Sequence, residues 1–119
     1  MHLEVRQSGE VVILDLKGKL TAGLGEEILR EAIDELLAEN RKKILLNLSE
    51  VSFLDSAGLG ELVAGLRTAH RFGAELKLLN LGERVYSTLD MARLLPTFEI
   101  YRDEAEAVRS FHPGAAGQG

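Results

Sequence analysis

The chain contains no cysteine. A disulfide framework, a thiolate zinc site and a cysteine nucleophile are therefore all excluded. Basic residues are the minority, 14 Lys and Arg against 19 Asp and Glu, for a net charge of -5. That balance opposes the phosphate attraction on which nucleic-acid binding depends, so neither DNA nor RNA is an expected partner. The basic run Arg41-Lys42-Lys43 precedes an apolar segment and reads as solvated charge at a strand entry. No apolar run approaches the roughly 18 residues of a membrane span, and Met1-His2-Leu3-Glu4-Val5-Arg6 lacks the apolar stretch expected of a signal peptide. The expectation is a cytoplasmic protein without membrane contact. His2, His70 and His112 stand far apart, and no pair of His or acidic residues has a metal-binding spacing. No metal and no cofactor are expected.

What remains is an ordinary globular composition, 45% hydrophobic and 28% charged over 119 residues, enough for one core and one domain. Residues 3–7 alternate in polarity, and after Ser8-Gly9-Glu10 residues 11–16 are aliphatic and β-branched, which predicts a hairpin. Gly18, Gly23 and Gly25 interrupt the pattern. Ile28, Leu29, Ala32, Ile33, Leu36 and Leu37 then recur at helical spacing opposite an acidic face that reads as the solvated side. Residues 44–48 are apolar on both strand faces, as in a central parallel strand, and Val51 and Phe53 fall in a short connection.

Leu59, Leu62, Val63, Leu66 and Ala69 mark a second helix closed by Gly73, with Gly65 as a close-packing position. Residues 76–81 form the next strand, Val85 to Leu95 a short helix stopped by Pro96, and residues 98–101 a last strand. Asp103 with Glu106 starts a fourth helix ending near Phe111. The fold class is α/β: a mixed sheet of about five strands, parallel in its centre, with about four helices. Residues 1–112 form the domain, and residues 113–119 are expected to be a flexible tail. Leu45-Leu46-Asn47-Leu48-Ser49-Glu50 is echoed by Leu78-Leu79-Asn80-Leu81-Gly82-Glu83. The echo suggests two parallel strands, each ending in an amide at one rim of the sheet, where open α/β sheets place their sites.

Residues 51–60, Val51-Ser52-Phe53-Leu54-Asp55-Ser56-Ala57-Gly58-Leu59-Gly60, leave the central strand at that rim and open the second helix. Ser56 should lie at an exposed helix N-terminus. Backbone N–H groups and the helix dipole favour a phosphate there, while Asp55 repels one. By residue type alone, the simpler reading is that Asp55 or Ser56 merely caps the helix, since both are common caps.

The chain resembles the STAS domain family, and within it the single-domain anti-sigma factor antagonists. The resemblance rests on Leu16-Lys17-Gly18-Lys19-Leu20, the strand at 44–48, the motif Asp55-Ser56-Ala57-Gly58-Leu59-Gly60, the strand at 76–81 and Glu104-Ala105-Glu106-Ala107. It implies phosphorylation at Ser56. It further implies that the unphosphorylated form binds an anti-sigma factor of serine kinase fold, freeing the sigma factor, and that a serine phosphatase restores this form. The partner surface would comprise Thr21, Asp55, Ser56, Ala57, Gly58 and Leu59. Two positions depart from many relatives: Thr21 stands in place of an acidic residue, and Ala57 in place of a second serine.

Rival chemistries lack their residues. Leu54 occupies the glycine position of a Gly-x-Ser-x-Gly elbow, and His70 is 14 residues along the same helix, roughly 21 Å from Ser56. No enzymatic activity is expected. Val63 replaces the third glycine of a dinucleotide fingerprint, and no phosphate-binding Gly-Lys-Ser/Thr loop occurs. The remaining alternative is a non-switching STAS subunit of a transporter or sensory assembly, in which Ser56 is structural.

Overall fold

The computed structural model describes residues 1–111. The tail expected at 113–119, and His112 before it, lie outside the described residues. In chain order the elements are β1 (His2–Ser8), β2 (Val11–Leu20), α1 (Leu24–Ala38), β3 (Lys43–Leu54) and α2 (Ser56–Arg71). They continue with β4 (Glu75–Leu79), α3 (Glu83–Met91), a 3-10 turn (Leu95–Thr97), β5 (Ile100–Tyr101) and α4 (Glu104–Ser110). The sheet has the order β1-β2-β3-β4-β5, with β1 antiparallel to β2 and every other neighbour parallel. This is the expected five-stranded mixed sheet with four helices.

Period-two alternation in β3 sends its residues to two cores. Ile44, Leu46 and Leu48 join Leu29 and Ile33 of α1, Leu62 and Leu66 of α2, and Val85 and Leu89 of α3. Leu45 points the opposite way, into a smaller cluster of Val11, Ile13, Leu79, Ala107 and Phe111 under α4. Lys77 sits in this second layer at 4% exposure. Its ammonium donates to the Ser110 carbonyl and hydroxyl at 3.0 Å, lies 3.3 Å from Glu99 and stands 4.5 Å from the centre of the Phe111 ring. A buried cation is tolerable only with such partners. Alternation along β4 places it on the α4 side, but residue type alone suggests exposure.

Gly65 lies where α2 meets α1; a Cβ there would stand 2.7 Å from Ile33 Cδ1. The close-packing role holds. Gly73 ends α2 at φ +73, the left-handed conformation expected at a helix C-terminus.

Three boundaries differ from the sequence pattern. First, β2 continues through Gly18, at φ +104, to Leu20, with register shifts between Asp15 and Lys17 and between Gly18 and Lys19. Its extended edge supplies partners for Glu50, Val51, Phe53 and Leu54, so Val51 and Phe53 lie within β3 and not in a connection. Second, α3 stops at Met91, well before Pro96: Arg93 turns left-handed at φ 59, and Pro96 belongs to the separate 3-10 turn, which leaves β5 only Ile100–Tyr101. Third, the two echoed segments are out of step. Asn47 pairs with Leu79 inside the sheet and donates to Asp15 at 2.7 Å, whereas Asn80 lies beyond the end of β4 at φ 56.

Candidate functional site

β4 pairs with β3 only as far as Asn47, while β2 and β3 run on together to Leu20 and Leu54. The two longer strands carry the loop after β2 and the start of α2 to the same end of the sheet. Asp55 joins them. Its backbone is extended, and its carboxylate accepts the N–H of Gly58 at 2.8 Å as the N-cap of α2. The other carboxylate oxygen accepts the N–H of Ala22 at 3.0 Å, from the loop that precedes α1. These two bonds, Ala22 first, hold the Asp55 carboxyl below its ordinary pKa.

Gly58 completes the junction. A Cβ at this position would lie 2.0 Å from the Leu20 carbonyl oxygen, which itself faces the Asp55 N–H at 3.4 Å. The first turn of α2 therefore presses directly on the end of β2, and only glycine permits that approach.

With Asp55 as cap, Ser56 becomes the first helical residue and is exposed. Ala57 and Leu59 are half-buried, and Gly58 is buried. Thr21 is half-buried, its carbonyl accepting the Glu26 N–H at 3.0 Å at the start of α1. All six residues singled out from the sequence thus occupy one rim. Within it, Ser56 is the exposed hydroxyl, and Asp55 and Gly58 are structural ties. Because Asp55 already takes the Gly58 N–H, a phosphate on Ser56 would compete with that carboxylate for the helix N-terminus.

Sequence reasoning missed the apolar and basic groups of the same rim. Leu24 is 67% exposed and Phe53 41% exposed. Phe53 shares an open cleft of about 600 Å³ with Lys19, Ser52 and Arg84. Phe53 points outward beside Ser52, which is also exposed, because the β2–β3 register shifts there, and no polarity pattern discloses such a shift. A second cleft of about 520 Å³, lined by Ser49, Asn80, Gly82, Tyr86 and Arg102, opens where β4 leads into α3.

Behind the rim, Glu61 on α2 is 7% exposed and accepts from Arg30 of α1 at 3.3 Å. Arg30 also meets Glu26 at 3.1 Å, so the charged face of α1 is tied in part to α2. Burial pushes the Glu61 carboxyl above its ordinary pKa, and Arg30 opposes that shift. Among the described residues no helix is long and apolar enough to cross a membrane.

Comparison with known proteins places this geometry. The anti-sigma F factor antagonist of Paenibacillus polymyxa is 27% identical over 109 residues, 91% of this chain and 92% of that protein. The crystal structure of the Thermotoga maritima protein TM1081 matches with a TM-score of 0.83 at 28% identity, covering 91% of this chain and 92% of that one. Bacillus SpoIIAA shares the fold at 23% identity in its unphosphorylated form, TM-score 0.77 over 98% of this chain and 97% of that one. Its phosphorylated form gives 0.73 at 22% identity over 93% and 100%. The STAS domain family itself matches residues 2–107, a span that takes in the hairpin, the central strand and the capped Asp55-Ser56 turn, and the chain belongs to that family.

Proposed function

We propose that this chain is a cytoplasmic anti-sigma factor antagonist, a binding protein and not an enzyme, switched off by phosphorylation of Ser56. The observation that carries the reading is the setting of Ser56: an exposed hydroxyl at the first position of α2, held at the rim by an Asp55 cap on one side and the Gly58–Leu20 contact on the other. The name of the Paenibacillus relative supports antagonism of an anti-sigma factor. The existence of SpoIIAA in unphosphorylated and phosphorylated forms of this fold supports the switch.

The partner in this reading is an anti-sigma factor with serine kinase activity, and a serine phosphatase reverses the modification. Unphosphorylated Ser56 lies against the partner together with Thr21, Ala57 and Leu59, and the exposed Phe53 and Leu24 add apolar area beside them. A phosphate brings about -1.5 to -2 charges next to the ionised Asp55. Desolvating that charge against the partner is unfavourable unless the partner offers a matching cation, so binding falls while the fold persists.

The test is kinase treatment followed by calorimetry. Incubation with the cognate kinase and ATP is expected to add one phosphate to the wild type and none to Ser56→Ala. The unmodified protein and Ser56→Ala should bind the kinase, and the phosphorylated protein should bind far more weakly with unchanged circular dichroism. Equal affinity of the phosphorylated and unmodified proteins would sink the switch and favour a constitutive STAS subunit.

A further inference from the structure

The two edges of the sheet are unlike. β5 is two residues long, whereas β1 is a seven-residue strand with no proline, glycine or lysine to blunt it. Edge strands of that length present a row of backbone donors and acceptors, and proteins ordinarily protect them. β1 is mostly exposed, and Val5 in its middle is 62% exposed.

The hairpin fixes which backbone groups of β1 are outward. Gly9-Glu10 is a two-residue loop with Gly9 at φ 60, closed by the pair Ser8 and Val11. The pair flanking such a loop is hydrogen-bonded, and hydrogen-bonded pairs alternate along an antiparallel ladder. Ser8, Arg6, Glu4 and His2 therefore turn their N–H and C=O groups toward β2. Leu3, Val5 and Gln7 turn theirs away from it.

We propose that β1 pairs antiparallel with β1 of a second copy of this chain about a two-fold axis at Val5, joining two sheets into one of ten strands. The sequence His2-Leu3-Glu4-Val5-Arg6-Gln7-Ser8 is self-complementary about that axis. Val5 faces its own copy and Leu3 faces Gln7, which brings together all the outward backbone groups of both strands. Glu4 of each protomer faces Arg6 of the other at the non-hydrogen-bonded positions, where cross-strand side chains come closest. The Arg6 side chain is already held in place by Asp15 and Glu104, which take four of its five N–H groups. The fifth is directed to the opposing Glu4, whose exposed contact with His2 at 3.2 Å is easily surrendered.

The axis reverses the strand direction from one copy to the other. The two Ser56 rims consequently lie at opposite ends of the joined sheet, and the pairing is independent of what those rims bind. One strand pair buries less than the roughly 1,200 Å² of a standard stable interface. A dissociation constant of about 100 µM is the expected scale.

Sedimentation equilibrium of the full chain over rising concentration tests the proposal. The weight-average mass should climb from 13.0 kDa toward twice that value. Val5→Pro deletes the central outward N–H without touching a β2 hydrogen bond and should remain monomeric with native circular dichroism. Glu4→Lys sets like charges opposite each other and should raise the dissociation constant roughly tenfold. A wild type that stays at monomer mass to about 1 mM overturns the proposal, as does a Glu4→Lys protein that dimerises like the wild type.

Discussion

The Asp55 carboxylate bonds the backbone N–H of Ala22, 33 residues earlier in the chain, at 3.0 Å. The same side chain caps α2 through Gly58, so one residue ties the loop before α1 to the helix that presents Ser56. Both bonds favour the ionised form, and the folded pKa lies below the ordinary carboxylate value of 3.8. Stability from Asp55 is therefore fully present above that ordinary value and is lost as pH falls through the lower folded value. Asp55→Asn should flatten this part of the acid-unfolding curve, and Asp55→Ala should lower stability further at neutral pH. Thermal melts over an acid series check both; an Asn variant with the wild-type acid profile contradicts the linkage.

Two glycines of the motif should respond oppositely to alanine. At Gly58 the added Cβ meets the Leu20 carbonyl oxygen at 2.0 Å, a backbone atom that cannot swing aside. Gly58→Ala is expected to reach the upper end of the roughly 1 to 3 kcal/mol loss typical of overpacking. Around Gly60 nothing lies within 4 Å of the added atom. Gly60→Ala should stabilise α2 by about 0.5 to 1 kcal/mol through the helix propensity of alanine. Urea denaturation of the pair gives the contrast directly, and equal signs would show that the first turn of α2 can move away from the Leu20 carbonyl.

Periodicity disclosed most of the fold because apolar residues have few other uses. Leu29 and Ile33 of α1, Ile44, Leu46 and Leu48 of β3, and Leu62 and Leu66 of α2 all reach the core that their spacing predicts. The Asp55-Ser56 turn was equally legible, since an acidic residue and a serine between a buried strand and a helical stripe have few alternative settings. Long-range ties were not. The Ala22 bond to Asp55 and the Arg30 pair with Glu61 join residues more than 30 positions apart, and each partner has an ordinary local role that hides the contact. The register shifts after Asp15 and Gly18 were hidden too, because they depend on how β2 bends along β3 and not on residue polarity.

Leu46 and Leu62 are both fully buried in the main core, one from the central strand and one from the helix above it. Truncating either to alanine removes three carbons from close packing and leaves a cavity that its rigid neighbours fill only in part. A loss of about 2 to 5 kcal/mol is expected for each. Chemical denaturation with an unchanged denaturant slope measures it, and a loss under about 1 kcal/mol at both sites would place the core elsewhere.

Glu61 should make stability fall as pH rises, the reverse of Asp55. Its folded pKa is raised above the ordinary 4.5, first because burial disfavours the carboxylate, with Arg30 at 3.3 Å pulling the other way. Between the unfolded and folded pKa values the folded chain holds the proton more often than the unfolded chain does. Stability therefore declines as pH climbs through that interval, and the penalty is complete above the folded value. Glu61→Gln keeps the shape and an acceptor oxygen for Arg30 without the charge, so it should remove this decline. Arg30 is half-exposed along its side chain and can return to water and Glu26 when its partner is neutral. The neutral variant should thus match or exceed the wild-type melting temperature at neutral pH and lose that advantage below the ordinary carboxylate pKa. Melting curves across this range decide the point: a Gln variant less stable than wild type at neutral pH would mean that the Arg30 pair outweighs the burial penalty. That result would make the α1–α2 ion pair a net support of the rim behind Ser56.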